Sequence, residues 1–165
     1  MGAILQLVLM TLAKVTLHGD NALVGRLQAI VALGIGIGCT AAGYASKGRI
    51  RYDFVRPAGL GLAITAFAMA LFGALRLPAY LFTILLGCWA GIYQLPLGTA
   101  IQDRSPATQR GRYLAAGNIL DSISMTCASL LLGILSLCHV GARGVFAVVG
   151  ALMLLVLPWL QFERR

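Results

Sequence analysis

Residues 57–101 carry one charged side chain, Arg76, in a stretch long enough to cross a bilayer twice. A spanning helix needs about 20 mostly apolar residues, and runs of this kind recur along the whole chain. Six are legible: roughly 2–17, 22–45, 57–75, 77–101, 114–137 and 144–162. The gaps between them are short, so consecutive helices are expected to be antiparallel neighbours, and no soluble domain fits between them. The expected fold is therefore all-α, a polytopic membrane bundle of about six helices in a single transmembrane domain over residues 1–165. Composition agrees: 59% of residues are hydrophobic and 11% charged, against about 25% charged in a soluble domain.

The net charge of +8 raises the question of nucleic acid. That reading needs a basic patch on a folded domain. The basic residues instead sit in the gaps between apolar runs, which is a topology signal, so no nucleic-acid partner is expected. Lys47, Arg49, Arg51, Arg56, Arg104, Arg110, Arg112, Arg164 and Arg165 fall on one side of the membrane, and Lys14, Arg26, Arg76 and Arg143 on the other. The richer side is expected to be cytoplasmic, with both termini on it. The amino terminus has no basic region before its apolar run, so a cleaved signal peptide is not expected. Cys39, Cys88, Cys127 and Cys138 form no Cys-x-x-Cys pair and read as small apolar residues in helices. Neither a metal site nor a cofactor is expected.

The stretch GIGIGCTAAGYASKGRIR, residues 34–51, invites a dinucleotide-loop reading because of its alternating glycines. Inside an apolar span that reading fails, since it needs a strand before the glycines. On a helix, positions three or four apart share a face. Gly25, Ala29, Ala32, Gly36, Cys39 and Gly43 form one small-residue stripe, and Gly34, Gly38, Ala42 and Ala45 a second. Small residues let membrane helices approach closely, so Gly25, Gly34, Gly36 and Gly38 are expected to pack helices. Both a mobile transporter helix and a static bundle have this character.

Polar residues at membrane depth each need a reason, since a charge there costs about 2.5–3.5 kcal/mol on insertion scales. Asp121, near one end of the fifth span, follows Asn118 by one turn, and Ser122, Thr126, Ser129, Gly133 and Ser136 continue a polar and small stripe. Two readings stand: a cavity wall in which Asn118 and Asp121 hold a polar headgroup or a proton, or a helix contact tied to an arginine such as Arg112. Arg26 either snorkels to the interface or faces a cavity and pairs with a lipid phosphate. Lys14 and Gln28 are weaker cases of the same kind. Gln94 and Pro96 fall in the fourth span, where proline frees a carbonyl and kinks a helix. His18 and His139 read as boundary residues. Asp103, Arg104, Arg110 and Arg112 read as a loop charge network that either latches a carrier conformation or marks topology. Five acids and two histidines, widely scattered, form no catalytic cluster, so an integral membrane enzyme is not expected.

Gly43-Tyr-Ala-Ser-Lys-Gly48-Arg49-Ile-Arg51 resembles the signature loop of the major facilitator superfamily, with Ser46 near the position where that pattern carries an acid. The stretch LQAIVALGIGIGCTAAGYASKGRI, the Pro-Ala-Gly-Leu-Gly that follows, and LPLGTAIQDRSPATQRGRYLAAGNILDSISM resemble the second half of bacterial lysophospholipid transporters. That resemblance implies a fold made of half a major facilitator bundle, two three-helix repeats, and about half of a twelve-helix carrier. It implies a lysophospholipid or other small amphiphile as substrate, membrane lipid around the chain, and either a missing six-helix half or a homodimer as partner. It also implies loop or gating roles for Gly43, Ser46, Gly48 and Arg49. The first span, residues 2–17, is short, as expected of a chain that begins partway through a helix. The rival expectation is a non-transporting membrane module, or a truncated remnant associated with a phospholipid acyltransferase system.

Overall fold

The computed structural model describes residues 9–10, 12–16, 20–46, 54–73, 75–104, 106, 109–137 and 141–156. Lys47, Gly48, Arg49 and Arg51, together with His18, His139, Cys138, Arg164 and Arg165, lie outside the described residues, while Arg56 falls in the first turn of α3.

Among the described residues six helical elements follow one another. α1 is a short π-helical segment, Leu12–Thr16. The others are α2 (Asn21–Ser46), α3 (Val55–Phe72), α4 (Arg76–Arg104), α5 (Arg110–Leu137) and α6 (Ala142–Val156). α2 to α5 are each long and apolar enough to cross a membrane, and α6 supplies a shorter apolar segment over Gly144–Leu155. At 1.5 Å per residue, α4, with 29 residues, is about 43 Å long against a hydrocarbon core of about 30 Å. Its ends therefore project beyond the apolar layer. Asp103 and Arg104 accordingly form the last turn of α4, and Arg110 and Arg112 the first turn of α5. The charges read from sequence as a loop network belong to two helix ends, with only residues 105–109 between them.

α2 packs mainly on α4, α4 also on α3, and α3 also on α6, while α1 touches α2 and α6. The simple expectation that each helix packs on the next in sequence therefore does not hold for α2, whose principal neighbour is α4. The reason lies in glycine. Gly34 and Gly38 on α2 meet Gly87 and Gly91 on α4, a Gly-x-x-x-Gly pair on each helix. A Cβ on Gly34 would stand 2.5 Å from the Ile84 carbonyl oxygen and 3.0 Å from Gly87 Cα. One on Gly91 would stand 2.5 Å from the Ile35 carbonyl oxygen, and one on Gly38 would overlap the Cys88 carbonyl. Backbone meets backbone, the close approach that drives helix association where burial of apolar surface cannot. Contacts advance together along both chains, from Val31 with Gly87 to Cys39 with Gly91, so α2 and α4 run parallel. The Cys39 thiol donates to the Gly91 carbonyl at 3.6 Å.

α3 runs antiparallel to α4. Near one end Gly61 accommodates the Trp89 ring, whose carbons would overlap any Cβ there. Toward the other, Phe72 and Phe82 meet at 6.4 Å between centroids, tilted by 32°. Gly150 of α6 faces Phe67 of α3, with Phe67 Cε2 3.0 Å from its would-be Cβ. Leu9, Leu12, Leu27, Met69, Leu86 and Phe146 are the large, fully buried apolar side chains among the described residues. The threonines buried among the described residues are satisfied within their own helices: Thr65 donates to the Gly61 carbonyl at 2.6 Å and Thr83 to that of Ala79 at 2.7 Å.

Candidate functional site

α2 to α6 all leave apolar side chains exposed, and two of their open faces carry the residues singled out from sequence. The first belongs to α5. Among its described side chains only Ala128 is buried, with Leu132 and Leu135 partly buried against the core. Residues seven apart share a helix face, so Asp121 lies on the continuation of this contact face, beyond the point where the bundle covers it. Beside it run Asn118, Ser122, Thr126, Ser129 and Gly133, all exposed. On the far side Ile119, Ile123, Leu130, Ile134 and Leu137 are exposed as well, an apolar face suited to lipid.

The hydrogen bonds rank the polar face. Ser122 donates to the Asn118 carbonyl at 2.9 Å, Thr126 to that of Ser122 at 3.0 Å, and Ser129 to that of Met125 at 2.9 Å. Each hydroxyl is thereby satisfied by its own helix, so these residues bring little unmet polarity to the membrane. The Asn118 amide and the Asp121 carboxyl are the groups with unspent capacity. Asp121 and Arg112 are both exposed, and no hydrogen bond or ion pair joins them.

The second open face belongs to α2. Its contact side carries Leu23, Leu27, Val31, Gly34, Gly38 and Ala42. On the opposite side Gly25, Gly36 and Gly43 have nothing within 4 Å of a would-be Cβ. Of the four glycines expected to pack helices, Gly34 and Gly38 lie in the α4 contact, while Gly25 and Gly36 face outward. Ala29, Leu33, Gly36, Ile37 and Thr40 leave a shallow, open and mostly apolar surface along this outer side. Arg26 is exposed and Gln28 half-buried on the same helix.

The remaining candidates are dispersed. Gln94 is exposed on α4, two residues before the buried Pro96. The Thr99 hydroxyl lies 2.9 Å from the Leu95 carbonyl and 3.1 Å from that of Pro96, donating to both. Ser46 closes α2 and donates to the Ala42 carbonyl at 2.6 Å, so its hydroxyl is engaged within the helix. Arg110 and Arg112 are exposed at the start of α5. Among the described residues no group of three His, Cys, Asp or Glu side chains could hold a metal ion. Sequence reasoning passed over Gly87, Gly91 and Trp89, which form the α4 side of the packing; the Gly87-x-x-x-Gly91 spacing was the signal that could have found the two glycines.

The described helices thus form a bundle crossed through glycines, with the polar stripe of α5 and the small-residue face of α2 left exposed. The whole chain, residues 1–165, matches the family model of the Major Facilitator Superfamily, and the chain belongs to that family. It is similar to the lysophospholipid transporter LplT of Enterobacter sp. (strain 638), 34% identical over 155 residues, covering 88% of this chain and 37% of the relative. The LplT of Cronobacter sakazakii is 32% identical over 152 residues, covering 88% and 36%. That of Klebsiella pneumoniae is 34% identical over 122 residues, covering 72% and 29%. The chain thus spans about a third of the length of these relatives. No solved structure matches it.

Proposed function

We propose that the chain forms the carboxyl-terminal part of a secondary transporter that moves a lysophospholipid by alternating access. Family membership and the printed function of the LplT relatives support this reading. The observation that carries it is the open polar face of α5. A spanning helix with an apolar side for lipid also presents Asn118 and Asp121 on a side the bundle leaves uncovered. Such a face suits a substrate path between two halves of a carrier. Arg26, Gln28 and Gln94, dispersed over α2 and α4, are further candidate polar contacts for the substrate. Gly43, Ser46, Gly48 and Arg49, with Asp103, Arg104, Arg110 and Arg112, form the cytoplasmic gate. The second half comes from further helices or from a second copy of the chain. The protein resides in a bacterial inner membrane with both termini cytoplasmic, as the distribution of basic residues supports.

The test is uptake of a labelled lysophospholipid by spheroplasts producing the protein in its native genetic context. Uptake above that of a deletion strain, reduced at least tenfold by Asp121→Asn or Asn118→Leu, supports the proposal. Equal uptake in the deletion strain sinks it.

A further inference from the structure

α4 carries a break that its packing does not require. Pro96 lies inside the helix and has no N–H, so the Ile92 carbonyl four residues before it receives no backbone hydrogen bond from that position. Gly98 follows two residues later. Gly87 and Gly91, the other glycines of α4, each press on the α2 backbone, whereas Gly98 is exposed and has nothing within 4 Å of a would-be Cβ. A glycine weakens a helix relative to alanine, and here no contact compensates. Thr99 comes next. Its hydroxyl donates to the Leu95 carbonyl at 2.9 Å and to the Pro96 carbonyl at 3.1 Å, so it ties the turn after the proline to the proline itself. Side-chain bonds of this kind bend helices.

The break falls where the clamp on α4 ends. Up to Gly91 the helix is held on two sides, by the α2 backbone and by the Trp89 ring seated on Gly61 of α3. Gly91 lies against Cys39 and the two helices run parallel, so Pro96 is level with Tyr44, two residues before α2 ends at Ser46. Gly43 has nothing within 4 Å of a would-be Cβ, and Tyr44 and Ala45 are exposed. The grip of α2 on α4 therefore ends at the proline. Pro96 is itself buried, which fixes the pivot. Beyond it the chain passes into α5, where no side chain from Arg110 to Cys127 is buried and Ala128 is the first that is.

We propose that Ile92 to Thr99 form a hinge, about which the last turns of α4 and the first half of α5 swing as one arm, and that the Thr99 hydroxyl is the latch holding the conformation described above. Bending at the proline breaks no backbone hydrogen bond at the Ile92 carbonyl, because Pro96 supplies none. It does require the two Thr99 bonds to open. The arm carries Asn118 and Asp121, so the position of the polar face is set at Thr99, eighteen residues or more away in sequence. The hinge is a property of the helix and does not rest on the transport reading.

The test is the distance between pairs of spin labels, placed on cysteines introduced into the full chain without its native cysteines, in lipid bilayers. Labels at positions 44 and 113 join α2 to the arm, and labels at positions 33 and 64 join α2 to α3 within the clamped body. Tyr44, Tyr113, Leu33 and Ile64 are all exposed. The arm pair is expected to give two distances and the body pair one. Gly98→Ala, placed where nothing lies within 4 Å, should shift the arm toward a single distance without impairing folding, and Pro96→Ala should shift it further. Thr99→Val keeps the shape of the side chain and loses the donor. It should change the ratio of the two distances about fivefold, the weight of one hydrogen bond, and Thr99→Ser should restore the parent ratio. A single arm distance in the parent overturns the hinge, as do two distances that neither Gly98→Ala nor Pro96→Ala alters. A Thr99→Val ratio equal to the parent's overturns the latch. The uptake assay is independent. Uptake with a single arm distance refutes the hinge and leaves the transport reading standing. Two arm distances without uptake refute transport and leave the hinge.

Discussion

Gly38→Ala paired with Gly36→Ala separates a packing glycine from an open one two residues away. Both substitutions bring the same gain in helix propensity, about 0.5–1 kcal/mol. They differ in what the new methyl meets. At position 36 it meets nothing within 4 Å, and at position 38 it overlaps the Cys88 carbonyl. That neighbour is main chain, held in α4, and cannot rotate away as a side chain would. Overpacking of this kind costs about 1–3 kcal/mol. The propensity gain is common to both variants, so this whole cost is the expected gap between them. Unfolding in mixed micelles titrated with a denaturing detergent measures it, at about tenfold in the equilibrium for each 1.4 kcal/mol. Gly36→Ala should be as stable as the parent or slightly more so, and Gly38→Ala clearly less. Equal stability of the two, or the reverse order, would refute the parallel glycine crossing of α2 and α4.

Gly61→Ala should destabilise through the Trp89 ring, and Trp89→Leu should relieve part of the loss; a double-mutant cycle should give a coupling of about 0.5–3 kcal/mol. Ser122→Ala and Thr126→Ala remove hydroxyls bonded to their own helix, so stability should change by no more than about 0.5 kcal/mol in the same titration. A cysteine at Gly48 should react with an impermeant thiol reagent only from the cytoplasmic side and one at Asp20 only from outside. The opposite pattern would reverse the orientation inferred from basic residues.

The spans were legible because the membrane imposes length and apolarity on each of them, so α2 through α5 could be read within a few residues. Helix ends were less legible. Asp103, Arg104, Arg110 and Arg112 look like loop by charge, yet a helix that has left the apolar layer continues without penalty. Which helices touch was also hidden. Gly34 and Gly36 look alike in sequence, and only the position of α4 makes one a contact and leaves the other exposed. The stripe on α5 was readable by its period. Its hydroxyls were not separable from Asn118 and Asp121 until their hydrogen bonds to preceding carbonyls were in view.

The central claim is that the polar face of α5 lines a substrate path. A cysteine scan of residues 118–130 in a background without native cysteines tests it, using a water-soluble thiol reagent with and without lysophospholipid. Positions 118, 121, 122 and 129 should react and be protected by the lysophospholipid, while 119, 123 and 130 should be unreactive. Uniform reactivity around the helix, or reaction at 118, 121 and 122 that lysophospholipid leaves unchanged, would contradict it.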